Sequence, residues 1–150
     1  EFAEGNFVKS YSAFNNTYAD TGLFGVVFNA SDNNLEDSMW YLMDNMVRLC
    51  HDVTDEEVQR AKASLVTSVL TTKGSAASLA EFNGAQLAAT GRVQSTAELI
   101  ARIDGITTAD IKAVANTYIN DEDHALAAVG PIFELPDYNW IRRRSYWHRF

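Results

Sequence analysis

The groups in this sequence able to hold a metal ion, carry a proton or attack a carbonyl are few. They are His51, His124 and His148, a single Cys50, and an acidic cluster of Asp52, Asp55, Glu56 and Glu57. Zinc-assisted hydrolysis needs imidazoles and a carboxylate converging on one ion, with a further acid/base to take the proton of the bound water. The three histidines are isolated from one another, and no His-x-x-Glu-His occurs. They read as structural or solvated imidazoles, so no metal and no catalytic residue is assigned to this chain. A lone Cys50 forms no internal disulfide, and without a Cys-x-x-Cys or a nearby base it reads as a small buried apolar group. Gly22-Leu23-Phe24-Gly25 lacks the Lys and the strand-loop-helix setting of a phosphate loop. Glycines at such a strand mark a bulge or the close approach of another backbone.

The elements that must position these groups follow from periodicity. Rough apolar/polar alternation from Val8, and a β-branched and aromatic run from Leu23 to Phe28, predict strands near 7–15 and 18–29, joined through Asn15-Asn16-Thr17. Leu35, Met39, Leu42, Met43, Met46, Val47 and Cys50 recur at helical spacing after the cap candidates Ser31 to Asn34, predicting a helix over 33–51. Thr54 followed by Asp55-Glu56-Glu57 is a capping box opening a helix to about 72. Gly74 and Gly91 bound another that starts at Ser75 or Ser78. Ser95 and Thr107 open two shorter helices, to about Ile103 and Tyr118. His124 to Gly130 is short, almost wholly apolar and bounded by Gly130-Pro131, which predicts a buried strand. Three strands and about five helices make an α+β fold with helices packed on one face of a mainly antiparallel sheet. Three strands are few for five helices, so further strands are expected from another chain or from a preceding segment.

The chain has 150 residues, 47% apolar and 11% aromatic, enough for one ordinary core. Its longest apolar runs fall far short of the roughly 20 residues of a membrane-spanning helix. The net charge of −8 hides an asymmetry. The last twelve residues carry Arg142, Arg143, Arg144 and Arg149 and no acid, leaving all twenty acids in the body. An acidic body repels nucleic acid, which needs a dense cationic face. In the tail Tyr138, Trp140, Tyr146, Trp147 and Phe150 alternate with the four arginines, the composition of a protein interface. Residues 131–150 are expected to form an extended basic-aromatic tail. The start, Glu1-Phe2-Ala3-Glu4-Gly5, carries no Arg-rich amphipathic stretch of the transit-peptide kind.

Three stretches carry a family resemblance. Ser12-Ala13-Phe14-Asn15-Asn16-Thr17-Tyr18-Ala19-Asp20-Thr21-Gly22-Leu23-Phe24-Gly25 resembles the strand pair S-F-N-T-x-Y-x-D-T-G-L-x-G of the mitochondrial processing peptidase β and cytochrome bc1 core 1 subunits. Arg48-Leu49-Cys50-His51-Asp52-Val53-Thr54-Asp55-Glu56-Glu57-Val58-Gln59-Arg60-Ala61-Lys62 is similar to their R-L-C-x-x-V-T-E-x-E-V-x-R-A-K. Val129-Gly130-Pro131-Ile132-Phe133-Glu134-Leu135-Pro136-Asp137-Tyr138-Asn139-Trp140-Ile141-Arg142, closing on Trp147-His148-Arg149-Phe150, resembles V-G-P-I-x-Q-L-P-D-Y-N-x-I-R and W-L-R-F. The resemblance extends over essentially the whole chain.

That resemblance implies an M16 pitrilysin-type fold in which residues 1–150 form a single, incomplete C-terminal half, the zinc motif H-x-x-E-H belonging to the missing first half. It implies a structural core subunit of mitochondrial respiratory complex III, ubiquinol-cytochrome c reductase, peripheral on the matrix side of the inner membrane. The alternative is the noncatalytic C-terminal portion of a processing peptidase whose zinc is held on a partner chain. Implied partners are the N-terminal portion of the same subunit, a second, α-type subunit and other complex III subunits, with no cofactor bound by this chain. Where active relatives place an Arg and, seven residues later, a Tyr near substrate, this sequence has Phe2 and Lys9. The family's G-R-R is reduced to Gly91-Arg92-Val93, and Gly84-Ala85-Gln86 stands where an Arg usually precedes the Gln. Asp52, Asp55, Glu56 and Glu57 could attract basic presequences, although a capped, solvated helix start explains them as well.

Overall fold

The structure, a computed structural model, describes residues 8–72 and 74–149, the side chains of residues 147–149 excepted. Strand β1 (Val8–Thr17) and strand β2 (Gly22–Ala30) form a two-stranded antiparallel hairpin. Its turn is closed by the Tyr18 N–H donating to the Thr21 carbonyl at 2.9 Å, later than the expected Asn15-Asn16-Thr17. Helices α1 (Leu35–His51), α2 (Asp55–Thr72), α3 (Ala76–Thr90), α4 (Thr96–Gly105), α5 (Thr108–Tyr118) and α6 (Tyr138–Arg143) follow, with short 3-10 turns at Asp32–Asn34 and Arg144–Arg149. The chain is therefore α+β, as the periodicity predicts.

One predicted element is absent in the form expected. His124–Gly130 is neither a strand nor buried: it lacks regular structure, and all of it beyond His124 is exposed. Strand geometry is stabilised by ladder hydrogen bonds to a neighbour, and the sheet contains β1 and β2 alone among the described residues. The tail differs too. Residues 138–149 are helical rather than extended, because Asp137 caps the segment by accepting the Trp140 N–H at 3.0 Å.

The residues group into two compact units. The first comprises Glu1–Ala13, Val26–Val53 and Ala109–Phe150. Its core is built on α1, whose Met39, Met43, Val47 and Cys50 recur at steps of three and four and form a buried stripe. Ile141 of α6, fully buried, packs with Met39 and Met43, and Phe28, Leu42, Leu135 and Trp140 close around them. Asn116 of α5 donates to the Cys50 carbonyl at 2.9 Å, one of the carbonyls that the end of α1 leaves without an intrahelical partner.

The second unit comprises Phe14–Gly25 and Thr54–Thr108. Thr54 and Glu57 form the expected reciprocal capping box: the Glu57 carboxylate accepts the Thr54 N–H at 3.0 Å, and Thr54 Oγ1 accepts the Glu57 N–H at 3.3 Å. Ser75 and Ser95 cap α3 and α4, and Gly91 ends α3 at φ 73°, a conformation costly for any residue with a Cβ. Lys62 donates to the Asp104 carbonyl at 2.9 Å, joining α2 to the end of α4. Burial is thin here. Val58 and Ile103 are buried, whereas Leu65, Leu70, Leu79, Leu87 and Val93 are exposed.

Candidate interaction surface

The arginine-aromatic tail is anchored within its own unit. Arg142 is a hub: its Nε donates to Asp123 Oδ1 at 2.5 Å, its Nη2 to the Asp121 carbonyl at 2.7 Å, and its Nη1 to Asp121 Oδ1 at 3.2 Å and Ser145 Oγ at 2.6 Å. These carboxylates hold the guanidinium above its usual range, against the opposing effect of desolvation. Asp121 occupies the left-handed region at φ 60°, and its N–H donates to the Ser145 carbonyl at 3.0 Å, so the 119–124 turn is tied to the tail from both sides. The ring of Tyr146 lies 5.8 Å from the Arg142 guanidinium.

Arg144 stacks over Trp140 at 3.7 Å from the ring centroid. Desolvation draws its guanidinium below the usual value, and Glu36 and Asp44 pull in the opposite direction. Tyr138 Oη donates to the His124 carbonyl at 2.9 Å, and the two rings lie 5.0 Å apart. Arg143 is exposed. The side chains of Trp147 and Arg149, and all of Phe150, lie outside the described residues. Of the expected interface anchors, Tyr138, Trp140, Arg142, Arg144 and Tyr146 thus have partners within the chain, and Tyr138 and Arg143 also offer exposed surface.

Of the acidic cluster, Asp55 and Glu57 are engaged locally. The Asp55 carboxylate accepts a hydrogen bond from Thr108 Oγ1, and Glu57 closes the capping box. Asp52 is the exposed residue that ends α1, and Glu56 is exposed. Cys50 is buried, and burial pushes its thiol up, away from the thiolate that a nucleophile requires. His51 is exposed at the end of α1, and the side chain of His148 lies outside the described residues. The buried nitrogens of His124 have no hydrogen-bond partner among the described residues, and burial, then the nearby Arg142, lowers its pKa against the pull of Asp123. No group of three His, Cys, Asp or Glu side chains among the described residues could hold a metal ion, so the donors present do not fit a zinc site. No described helix is long and apolar enough to cross a membrane. Phe2 lies outside the described residues, and Lys9 is exposed on β1.

Gly25 is tight for a reason other than the expected backbone approach. A Cβ there would come within 2.8 Å of the Phe14 ring on the paired strand.

What sequence reasoning missed is an exposed apolar surface. Tyr11 and Val27 of the hairpin are each 62% exposed, and in the run after His124, Val129 is fully exposed and Phe133 91% exposed. The shortage of strands relative to helices was the signal that pointed toward it.

A strand pair leading into a succession of capped helices is the architecture that the comparisons with known proteins meet. Residues 2–65 match the Peptidase M16 inactive domain. It is 45% identical over 142 residues to the probable mitochondrial-processing peptidase subunit beta of Arabidopsis thaliana, a match covering 95% of this chain and 27% of that protein. To the mitochondrial-processing peptidase subunit beta of Mus musculus it is 37% identical over 145 residues, covering 97% of this chain and 30% of the relative. It therefore spans less than a third of the length of these curated relatives. A chain in the structure of complex III2 from Candida albicans with Inz-5 bound matches at a TM-score of 0.90 and 26% identity, over 96% of this chain and 35% of that one.

Proposed function

We propose that this chain is the C-terminal part of a core subunit of mitochondrial respiratory complex III, peripheral to the inner membrane on the matrix side, with an architectural role. The observation that carries this reading is the superposition of nearly the whole chain on a chain of complex III2. Phe2 and Lys9, where active relatives place Arg and Tyr, support architecture over catalysis. Its partners in this reading are the N-terminal portion of the same subunit, an α-type second core subunit and further complex III subunits.

The names of the curated relatives favour a second reading, a noncatalytic portion of a processing peptidase whose zinc sits on a partner chain. The two are separated by purifying the chain, tagged, with its native assembly from mitochondria. The first reading expects haem absorbance and complex III subunits by mass spectrometry. The second expects a haem-free assembly that cleaves presequence peptides and loses that activity on zinc chelation. Recovery of the chain with neither would refute both.

A further inference from the structure

We infer that residues 63–72, the last ten of α2, are a self-recognition segment that leaves the helix to pair in cross-β fashion with the same residues of other copies of this chain. The inference is independent of which assembly the chain joins, because it concerns the chain outside that assembly.

From Ala63 to Thr72 the sequence reads Ala-Ser-Leu-Val-Thr-Ser-Val-Leu-Thr-Thr, with no charge, proline or glycine between Lys62 and Lys73. Five of the ten are β-branched and two more are serine. Such residues are poor in a helix interior, and valine and threonine are at home in a strand. With the period of a strand, Ser64, Val66, Ser68, Leu70 and Thr72 share one face, and Leu65, Thr67, Val69 and Thr71 the other. Each face alternates hydroxyl and aliphatic side chains. Identical segments stacked in register would therefore place hydroxyl ladders beside aliphatic ones, and a neutral run with high strand propensity and no proline is the signature of a dry zipper.

The fold holds these residues weakly. Helix α2 is secured at its start, where Thr54 and Glu57 form the capping box and Val58 is buried, and Lys62 reaches the Asp104 carbonyl. Beyond Lys62 no residue of α2 is buried, and Leu65 and Leu70 are 48% and 53% exposed. Thr67, Thr71 and Thr72 each donate the hydroxyl to the carbonyl four residues earlier, at 2.8, 2.8 and 2.9 Å. Back-bonding of this kind slightly destabilises and bends a helix. The last turn contains no basic residue to offset the helix dipole. Opening the end of α2 thus sacrifices little packing and frees a segment that finds its match in a second copy.

A rival segment is Leu23 to Phe28 of β2, which is also apolar and partly exposed. Gly25 interrupts it, and its backbone is already paired with β1. Lys62 and Lys73 flank the α2 segment as charges that slow such stacking without abolishing it.

The test follows the isolated full chain by thioflavin T fluorescence, with fibre diffraction and protease digestion of the product. Fibres with a reflection at about 4.7 Å are expected, with residues 63–72 inside the protease-resistant core. The double variant Val66→Lys with Val69→Lys puts a charge on each strand face while keeping good helix formers, and should lengthen the lag at least about tenfold. Leu87→Lys with Val93→Lys, the same change of charge at exposed sites outside the segment, should stay within about twofold of the parent. Thr67→Ala with Thr71→Ala adds no charge and strengthens the helix, and should also lengthen the lag, which separates segment conversion from repulsion. Amorphous aggregates without the reflection, a resistant core at 22–30 in place of 63–72, a chain that stays soluble, or equal lags for the two lysine pairs would each overturn the inference.

Discussion

Arg142 does at the residue scale what the tail composition assigns to a partner: it satisfies a planar, five-donor cation. Its acceptors lie about twenty positions earlier, at Asp121 and Asp123, a separation invisible to local pattern. That is why the arginine-rich tail reads from sequence as interface alone, with no sign of the contacts that Arg142 makes within the chain. Asp123 is 84% exposed, so its ion pair is screened and weak. The backbone carbonyl of Asp121 and Ser145 Oγ matter more. Arg142→Met should cost about 1–3 kcal/mol in urea unfolding, and Asp123→Asn less than about 1 kcal/mol. His124 adds a pH dependence. Its folded pKa lies below the ordinary 6.5, so between the two values the unfolded chain binds more protons. Its contribution is complete above 6.5 and is lost as pH falls toward the folded value, with Arg142 opposing the imidazolium and Asp123 favouring it. His124→Phe should flatten stability over that window, measured as thermal midpoints from pH 7 downward.

Element boundaries were legible where the signal is local. Thr54, Ser75, Ser95 and Gly91 each cap the helix that the sequence assigns to them, because a cap is settled by side chain and backbone within four residues. Gly91→Ala should destabilise by about 1 kcal/mol through the left-handed φ alone, read in chemical denaturation. The tail helix carried a comparable signal in Pro136-Asp137, passed over in the expectation of an extended tail over 131–150. The segment 124–130 was illegible for another reason: strandedness depends on a distant partner, and none is within reach among the described residues. Packing between elements can be tested at Ile141, which has no accessible surface and sits on Met39 and Met43. Ile141→Ala should cost about 2–5 kcal/mol. The loss should appear as release of α6, faster exchange of the Trp140 and Arg142 amides preceding that of α1.

For the molecule as a whole, the acidic body and the α+β class were readable from 150 residues, and a family resemblance from three stretches of them. Which surfaces stay uncovered was not, because exposure depends on every other element. The second unit buries Val58 and Ile103 and leaves Leu65, Leu70, Leu79 and Leu87 in water; the hairpin leaves Tyr11, Leu23, Phe24 and Val27. A two-stranded sheet is marginal in water without something packed on it, and contiguous apolar surface on a soluble chain promotes association. Net charge of −8 opposes that association by repulsion, an effect that salt screens within about 8 Å at physiological ionic strength. The isolated chain should therefore self-associate with rising concentration, and more strongly as salt is added, the opposite of an assembly held by ion pairs. Light scattering after size exclusion tests this at several salt concentrations. A monodisperse monomer that unfolds cooperatively at all of them would show that the exposed leucines and the hairpin need no cover, and that the chain folds as a self-sufficient domain.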